Sequence, residues 1–152
     1  MSNEEKITML EKKLKTLQMY YAAALADSVY HYGTEGILDK TIEQKRAEQL
    51  KGGAEAAARL GVKEPKNAFE NVQELCGCAN WICTDTENGF EAVATSCMLC
   101  TISKKMGNFS PCQIYCLSPV EAMLKSVSPN ADISVMDTLW NSDKCKVNIK
   151  LE

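Results

Sequence analysis

The sequence predicts an α+β fold: an N-terminal layer of two long helices packed on an antiparallel sheet of about four strands, with short helices between them. Three observations carry this expectation. Apolar residues recur at helical spacing through roughly the first sixty positions, the pattern changes to strand-like alternation beyond position 80, and Asn88-Gly89 sits between two alternating runs.

The first helix rests on Ile7, Leu10, Leu14, Leu17 and Tyr21, which fall at a/d spacing with Glu and Lys between them. Ala22 to Ala26 continues in good helix formers, and Ala24 and Ser28 stay on the same seam. Such a seam fits against the second helix, the simpler arrangement, or against another subunit. "YHYGTEG" is expected to interrupt, because two glycines weaken helix continuity. A second helix is expected from about Glu35 to Leu60, with Gly52-Gly53 bending it or admitting a close neighbour. Gly61 stands in its C-terminal cap position, and Pro65 lies just beyond.

In the second half, "NAFENVQEL" reads as a short helix capped by Asn67. "NWICTDTENGFEAVATS" reads as a hairpin turning at Asn88-Gly89. "CTISKKMG" gives a helical turn or two stopped at Gly107. "SPVEAMLKSVSPN" gives another short helix, with Ser118 as N-cap and Pro119 at its first position. "DISVMDTLW" and "CKVNIKLE" alternate as a closing hairpin. No repeat or linker divides the chain, so residues 1–152 are expected to form one domain, helical over 1–65 and mixed over 66–152.

The net charge is −3, with both signs interspersed, and no basic stripe with interleaved aromatics favours nucleic acid as a partner. No apolar run approaches the ~18 residues of a membrane span, and "MSNEEKITMLEKKLK" lacks the apolar stretch of a secretory signal. The expected location is therefore cytoplasmic. In that reducing setting free thiols or metal ligation outrank disulfides for the eight cysteines.

Those cysteines are the one chemically unusual feature. Cys76-x-Cys78, Cys97-x2-Cys100 and Cys112-x3-Cys116 have spacings that suit a soft metal, and Cys83 and Cys145 stand alone. The competing reading is core packing, since cysteine behaves as a small, often buried hydrophobe. The only histidine, His31, is spaced four residues from both Asp27 and Glu35. One helical face would carry all three, offering a general base or metal ligands, or simply a solvated surface. "KGGAEAAARLG" lacks the Lys-Ser/Thr pair of a phosphate loop.

Two stretches read together carry a resemblance. "YHYGTEG" followed by a long charged helix is similar to the Tyr-Gly-x-Glu segment of the L-2-amino-thiazoline-4-carboxylic acid hydrolase family. "CMLCTISKKMG" resembles that family's segment from Cys to a Gly ten positions on, with Cys97 and Gly107 at its ends. "IYCLSPVEAM" and "DTLWNSDKCKVNIKL" match its later cysteines at Cys116 and Cys145. The resemblance spans roughly residues 20 to 151 and extends in pattern to the 4-vinyl reductase-like small-molecule-binding domains. Met98 stands where the family usually has proline, and Cys76, Cys78, Cys83, Cys100 and Cys112 are particular to this chain.

The resemblance implies a hydrolase opening a carbon–nitrogen or carbon–sulfur bond of a small cyclic amidine-type carboxylate. In that reading Cys97 attacks, helped by a helix N-terminus, or Cys97, Cys116 and Cys145 hold a zinc ion that carries water. His31 or Glu35 serves as base or proton shuttle, and Tyr32 and Asp137 contact the substrate. Arg46, Arg59, Lys104 and Lys105 are candidate partners for its carboxylate. The alternatives are a non-catalytic small-molecule or metal-binding module, acting as sensor or carrier, and an iron–sulfur or redox protein using the additional cysteines. A homo-oligomer through the N-terminal helix is a further expectation.

Overall fold

The structure is a computed structural model and describes residues 1–151. It is an α+β fold in the element order α1 (Asn3–Thr34), α2 (Leu38–Leu60), α3 (Asn67–Cys76), β1 (Ile82–Thr86), β2 (Gly89–Ala94), α4 (Met98–Met106), a π-helical turn (Gln113–Leu117), α5 (Ser118–Val127), β3 (Asp132–Asp137) and β4 (Cys145–Lys150). The four strands form one antiparallel sheet in the order β1-β2-β4-β3. No helix is long and apolar enough to cross a membrane among the described residues.

The glycines resolve the two long helices differently from the sequence expectation. Helix α1 begins with a capping box between Ser2 and Glu5 and continues through Gly33. Gly33 is tolerated because Phe109 packs flat against it, filling the space a Cβ would need. The break comes at Gly36, in the left-handed region, so α2 starts at Leu38 rather than Glu35. Within α2, which runs unbroken from Leu38 to Leu60, Gly53 lies directly under the Ala122 carbonyl and lets α2 and α5 cross closely. Gly61 closes α2 in the left-handed region, as expected.

The main core lies between the sheet and α2, α3 and α5. Phe90, Ala92 and Ala94 of β2 alternate inward and pair in register with Ile149, Val147 and Cys145 of β4. Phe69 of α3 meets Trp81 and Phe90 edge-on at 5.0 and 6.0 Å between ring centres. Helix α1 packs instead on α4, through Ala22, Ala26 and Leu99.

Three local assignments are corrected. The first hairpin turns at Glu87-Asn88, both at negative φ, because Thr86 already pairs with Gly89. Gly89 is needed for another reason: the Ile149 carbonyl of β4 occupies the space of its missing side chain. Asn67 lies inside α3, and its Oδ1 accepts from the Lys63 and Glu64 N–H groups, closing the preceding turn. Ser118 caps nothing. The helix already runs through the π turn before it, and Ser118 is buried with Gln113 Nε2 donating to its Oγ at 2.7 Å.

The a/d seam of α1 is not buried within the chain either. Every residue from Met1 to Leu17 is exposed, Leu17 by 66 %. The buried face of α1 is formed by Ala22, Ala26 and Val29.

Candidate functional site

Three chain segments deliver sulfur to the junction between the main core and the α1–α4 layer. The first is the entry to α4. Asn80 Oδ1 accepts from the Thr95 and Ser96 N–H groups at 2.8 and 2.9 Å, and the Met98 N–H donates to the Cys78 carbonyl at 2.8 Å. These bonds hold Cys97 extended at the N-cap of α4, where its Sγ accepts from the Cys100 N–H at 3.5 Å. Three residues on, Cys100 lies on the same helical face. The second segment is the π-helical turn, with Cys112 at its start and Cys116 within it. Insertions of this kind reshape a helix locally and recur at functional sites. The third is the start of β4. The inward-facing row of that strand ends at Cys145, opposite Ala94, and Cys145 Sγ accepts from the Leu139 N–H at 3.1 Å.

Cys97, Cys100, Cys112, Cys116 and Cys145 thus line one cavity of about 20 Å³, closed otherwise mostly by apolar side chains such as Trp81, Leu99 and Leu117. Cys97 and Cys116 also line an adjoining cavity of about 50 Å³, together with Cys78, Tyr21 and Tyr115. Cys100 Sγ and Cys112 Sγ stand 3.9 Å apart. All eight cysteines are free thiols.

Burial pushes most of these thiols up. Cys97 is raised, Cys116 lies well above the ordinary range, and Cys145 reaches about 11. Cys112 is the exception. Its hydrogen bond with the Cys100 thiol, then the Ser110 and Thr138 hydroxyls and the Trp140 N–H, hold it below the ordinary thiol range despite its burial. Cys100 correspondingly keeps its proton, because its partner is the better thiolate.

The residues singled out in the sequence separate into two places. Cys97, Cys116 and Cys145 share the thiol cavity. His31 lies on an exposed face of α1 and approaches Asp27, Nε2 to Oδ1 at 3.4 Å. Glu35, also exposed, follows at the C-cap, and neither residue lines the thiol cavity or its neighbour. Tyr32 approaches the Tyr115 hydroxyl, which itself bonds Ser28 at 3.1 Å. Asp137 pairs with Lys146 across the β3 bulge, one residue before Thr138, which lines the thiol cavity. Of the cationic candidates, Arg46 is bound to Glu121 at 2.9 Å and Arg59 to Glu55. Lys104 donates to the Leu139 carbonyl at 2.6 Å.

Cys100 and Cys112 belong to the cavity as fully as the three cysteines of the resemblance. Their signal was present as spacing: Cys97 and Cys100 are i,i+3 at a helix start, and Cys112 and Cys116 are i,i+4, so each pair shares a face. No group of three or more His, Cys, Asp or Glu side chains among the described residues is already arranged to hold a metal ion. No family model matches the chain, nor does any curated protein or solved structure.

Proposed function

We propose that the protein is a thiol-based binding module that takes a single zinc ion in the cavity lined by Cys97, Cys100, Cys112, Cys116 and Cys145. The observation that carries this reading is five thiols from three segments around a space of about 20 Å³. That is room for one ion, among soft donors that favour zinc over hard cations. The Cys100–Cys112 separation of 3.9 Å supports it. Two thiolates on one tetrahedral zinc lie ~3.8 Å apart, given a Zn–S bond of ~2.3 Å. Two of the other three thiols would complete the set, with proton release as each ligates. A reducing, cytoplasmic setting keeps these thiols available.

The test is zinc titration of anaerobically purified, reduced protein against a competing chelator, with elemental analysis. One zinc per chain is expected. Cys112→Ser and Cys145→Ser should each weaken it by more than the ~10–100-fold that an outer-shell change costs. Protein with eight free thiols that retains no zinc against the chelator would overturn the reading.

A second reading is hydrolysis of a small cyclic amidine-type carboxylate. It draws on the motif resemblance and on one observation, that Cys97 and Cys116 line both the thiol cavity and the adjoining space beside Tyr21 and Tyr115. A substrate that enters on the Tyr21 side passes Cys76 and Cys78 and reaches these two sulfurs from the adjoining space. In this reading Cys97→Ser abolishes turnover of a 2-amino-thiazoline carboxylate, and turnover that survives the change rules Cys97 out.

A further inference from the structure

We infer that the exposed seam of α1 is the interface of a homodimer, in which the partner is a second copy of this chain. Among the described residues, half of the sixteen exposed large hydrophobic side chains lie within α1, all between Ile7 and Tyr21. Ile7, Leu10, Leu14 and Leu17 are 56, 59, 44 and 66 % exposed, and they fall on one a/d line. A contiguous apolar strip of this kind marks an interaction surface. Beside its C-terminal half lies a groove of about 380 Å³, where Leu75 and Cys76 at the end of α3 extend the apolar surface past Leu14, Leu17 and Tyr21.

The charges along the strip select a second copy. Lys6 and Lys13 flank one edge at g positions, and Glu4 and Glu11 flank the other at e positions. An acidic or a basic partner would meet repulsion along one edge, whereas an identical strip meets its own complement. Laid parallel, Lys6 faces the partner's Glu11. Laid antiparallel at full overlap, Lys6 faces the partner's Asp27, and Ile7 packs on the partner's Ala24. The body of the molecule lies to one side of the seam and leaves its apolar residues uncovered. Gln18, Ala22, Ala26 and Val29 face it, about a quarter turn round the helix from the seam at ~100° per residue. Laid parallel, with the two-fold axis along the seam, the two bodies fall on opposite sides; laid antiparallel, with the axis across the seam, they fall on one side at opposite ends of the helix pair. The inference is independent of what the thiol cavity holds.

Sedimentation of the full chain from low to high micromolar concentration tests it. The expected mass is twice the 16.8 kDa of one chain. A single-chain mass throughout, or a trimer, overturns the inference. The double variant Leu10→Glu/Leu14→Glu should sediment as one chain with unchanged helical circular dichroism, because both side chains are exposed in the isolated fold. A dimer that survives this change places the interface elsewhere and overturns the proposal. Carbodiimide cross-linking of mixed isotope-labelled and unlabelled chains should join Lys6 to the partner's Glu11 or the partner's Asp27. Links that never join two chains through Lys6 overturn it.

Discussion

The two packed regions of the molecule are built from opposite materials. Between the sheet and α2, α3 and α5 the core is aromatic and branched: Phe69, Phe90, Leu124 and Ile149 are almost wholly buried. Between α1 and α4 the buried residues are Ala22, Ala26 and Leu99, fringed by Cys78, Cys97, Met98 and Tyr115. The first region is close-packed and fixes the scaffold. The second is thin, made of small and sulfur-bearing side chains that adapt to what they hold. The thiol cavity lies where the two meet, with Cys145 supplied by the scaffold and Cys97 and Cys100 by the entry to α4. The end of a strand thus presents one sulfur to four that sit on helical segments.

The sharpest way to break this contrast is on the aromatic side. Phe69→Ala removes the ring that meets both Trp81 and Phe90. It should cost about 3–5 kcal/mol in chemical denaturation, as large-to-small changes of buried aromatics do. A loss under about 1 kcal/mol would mean that the core is less tightly packed than its burial indicates. On the other side, Ala22→Leu forces a larger side chain into the α1–α4 contact, where Ala22 is fully buried. Overpacking there should cost about 1–3 kcal/mol, and Ala23→Leu, one residue away on an exposed face, should cost almost nothing. Equal effects at the two positions would refute the α1–α4 packing.

How much of this was legible depended on whether the cause was local. The long helices, the two hairpins and the Gly61 cap follow from periodicity and turn chemistry confined to a few neighbouring residues. The misassignments arose where a distant residue decides. Gly33 stays helical because Phe109 packs on it, and Gly89 is required by the Ile149 carbonyl rather than by the turn. Ser118 looks like a cap in sequence, yet the π turn before it had already started the helix. The same limit governed the cysteines. Spacing shows which pairs share a helical face, but only the tertiary fold brings Cys100 within 3.9 Å of Cys112 and ends the β4 row at Cys145. The a/d seam illustrates it from the other side. Periodicity states that a face is apolar, not what covers it.

A smaller effect is expected at the scaffold's own isolated thiol. Burial, then the Glu70 carboxylate, pushes Cys83 on β1 up to about 11 from an ordinary value near 9. Below the ordinary value the thiol is neutral whether the chain is folded or not. Between the two values the unfolded chain gives up this proton and the folded chain keeps it, so stability falls as pH rises through this window. Cys83→Ala should therefore flatten the decline of the urea midpoint between about pH 8 and about pH 10.5, measured under reductant. Identical slopes for the two proteins would show that Cys83 titrates as it does in the unfolded chain.

The smallest expected effect falls on the exposed end of α1. Leu17→Ala changes a side chain that is 66 % exposed and exchanges one good helix former for another. In dilute solution, where the chain is single, the change in unfolding free energy should stay within about 0.5 kcal/mol. At high micromolar concentration the same substitution should lower the melting temperature measurably, because it removes contact area from the dimer that mass action then populates. The difference between the two concentrations is the informative quantity. A cost that is large at both would mean Leu17 packs within its own chain, and the contrast between a packed body and an open helix end would fail at that residue. A cost that is absent at both would leave the seam without a partner and sever it from the stability of the fold.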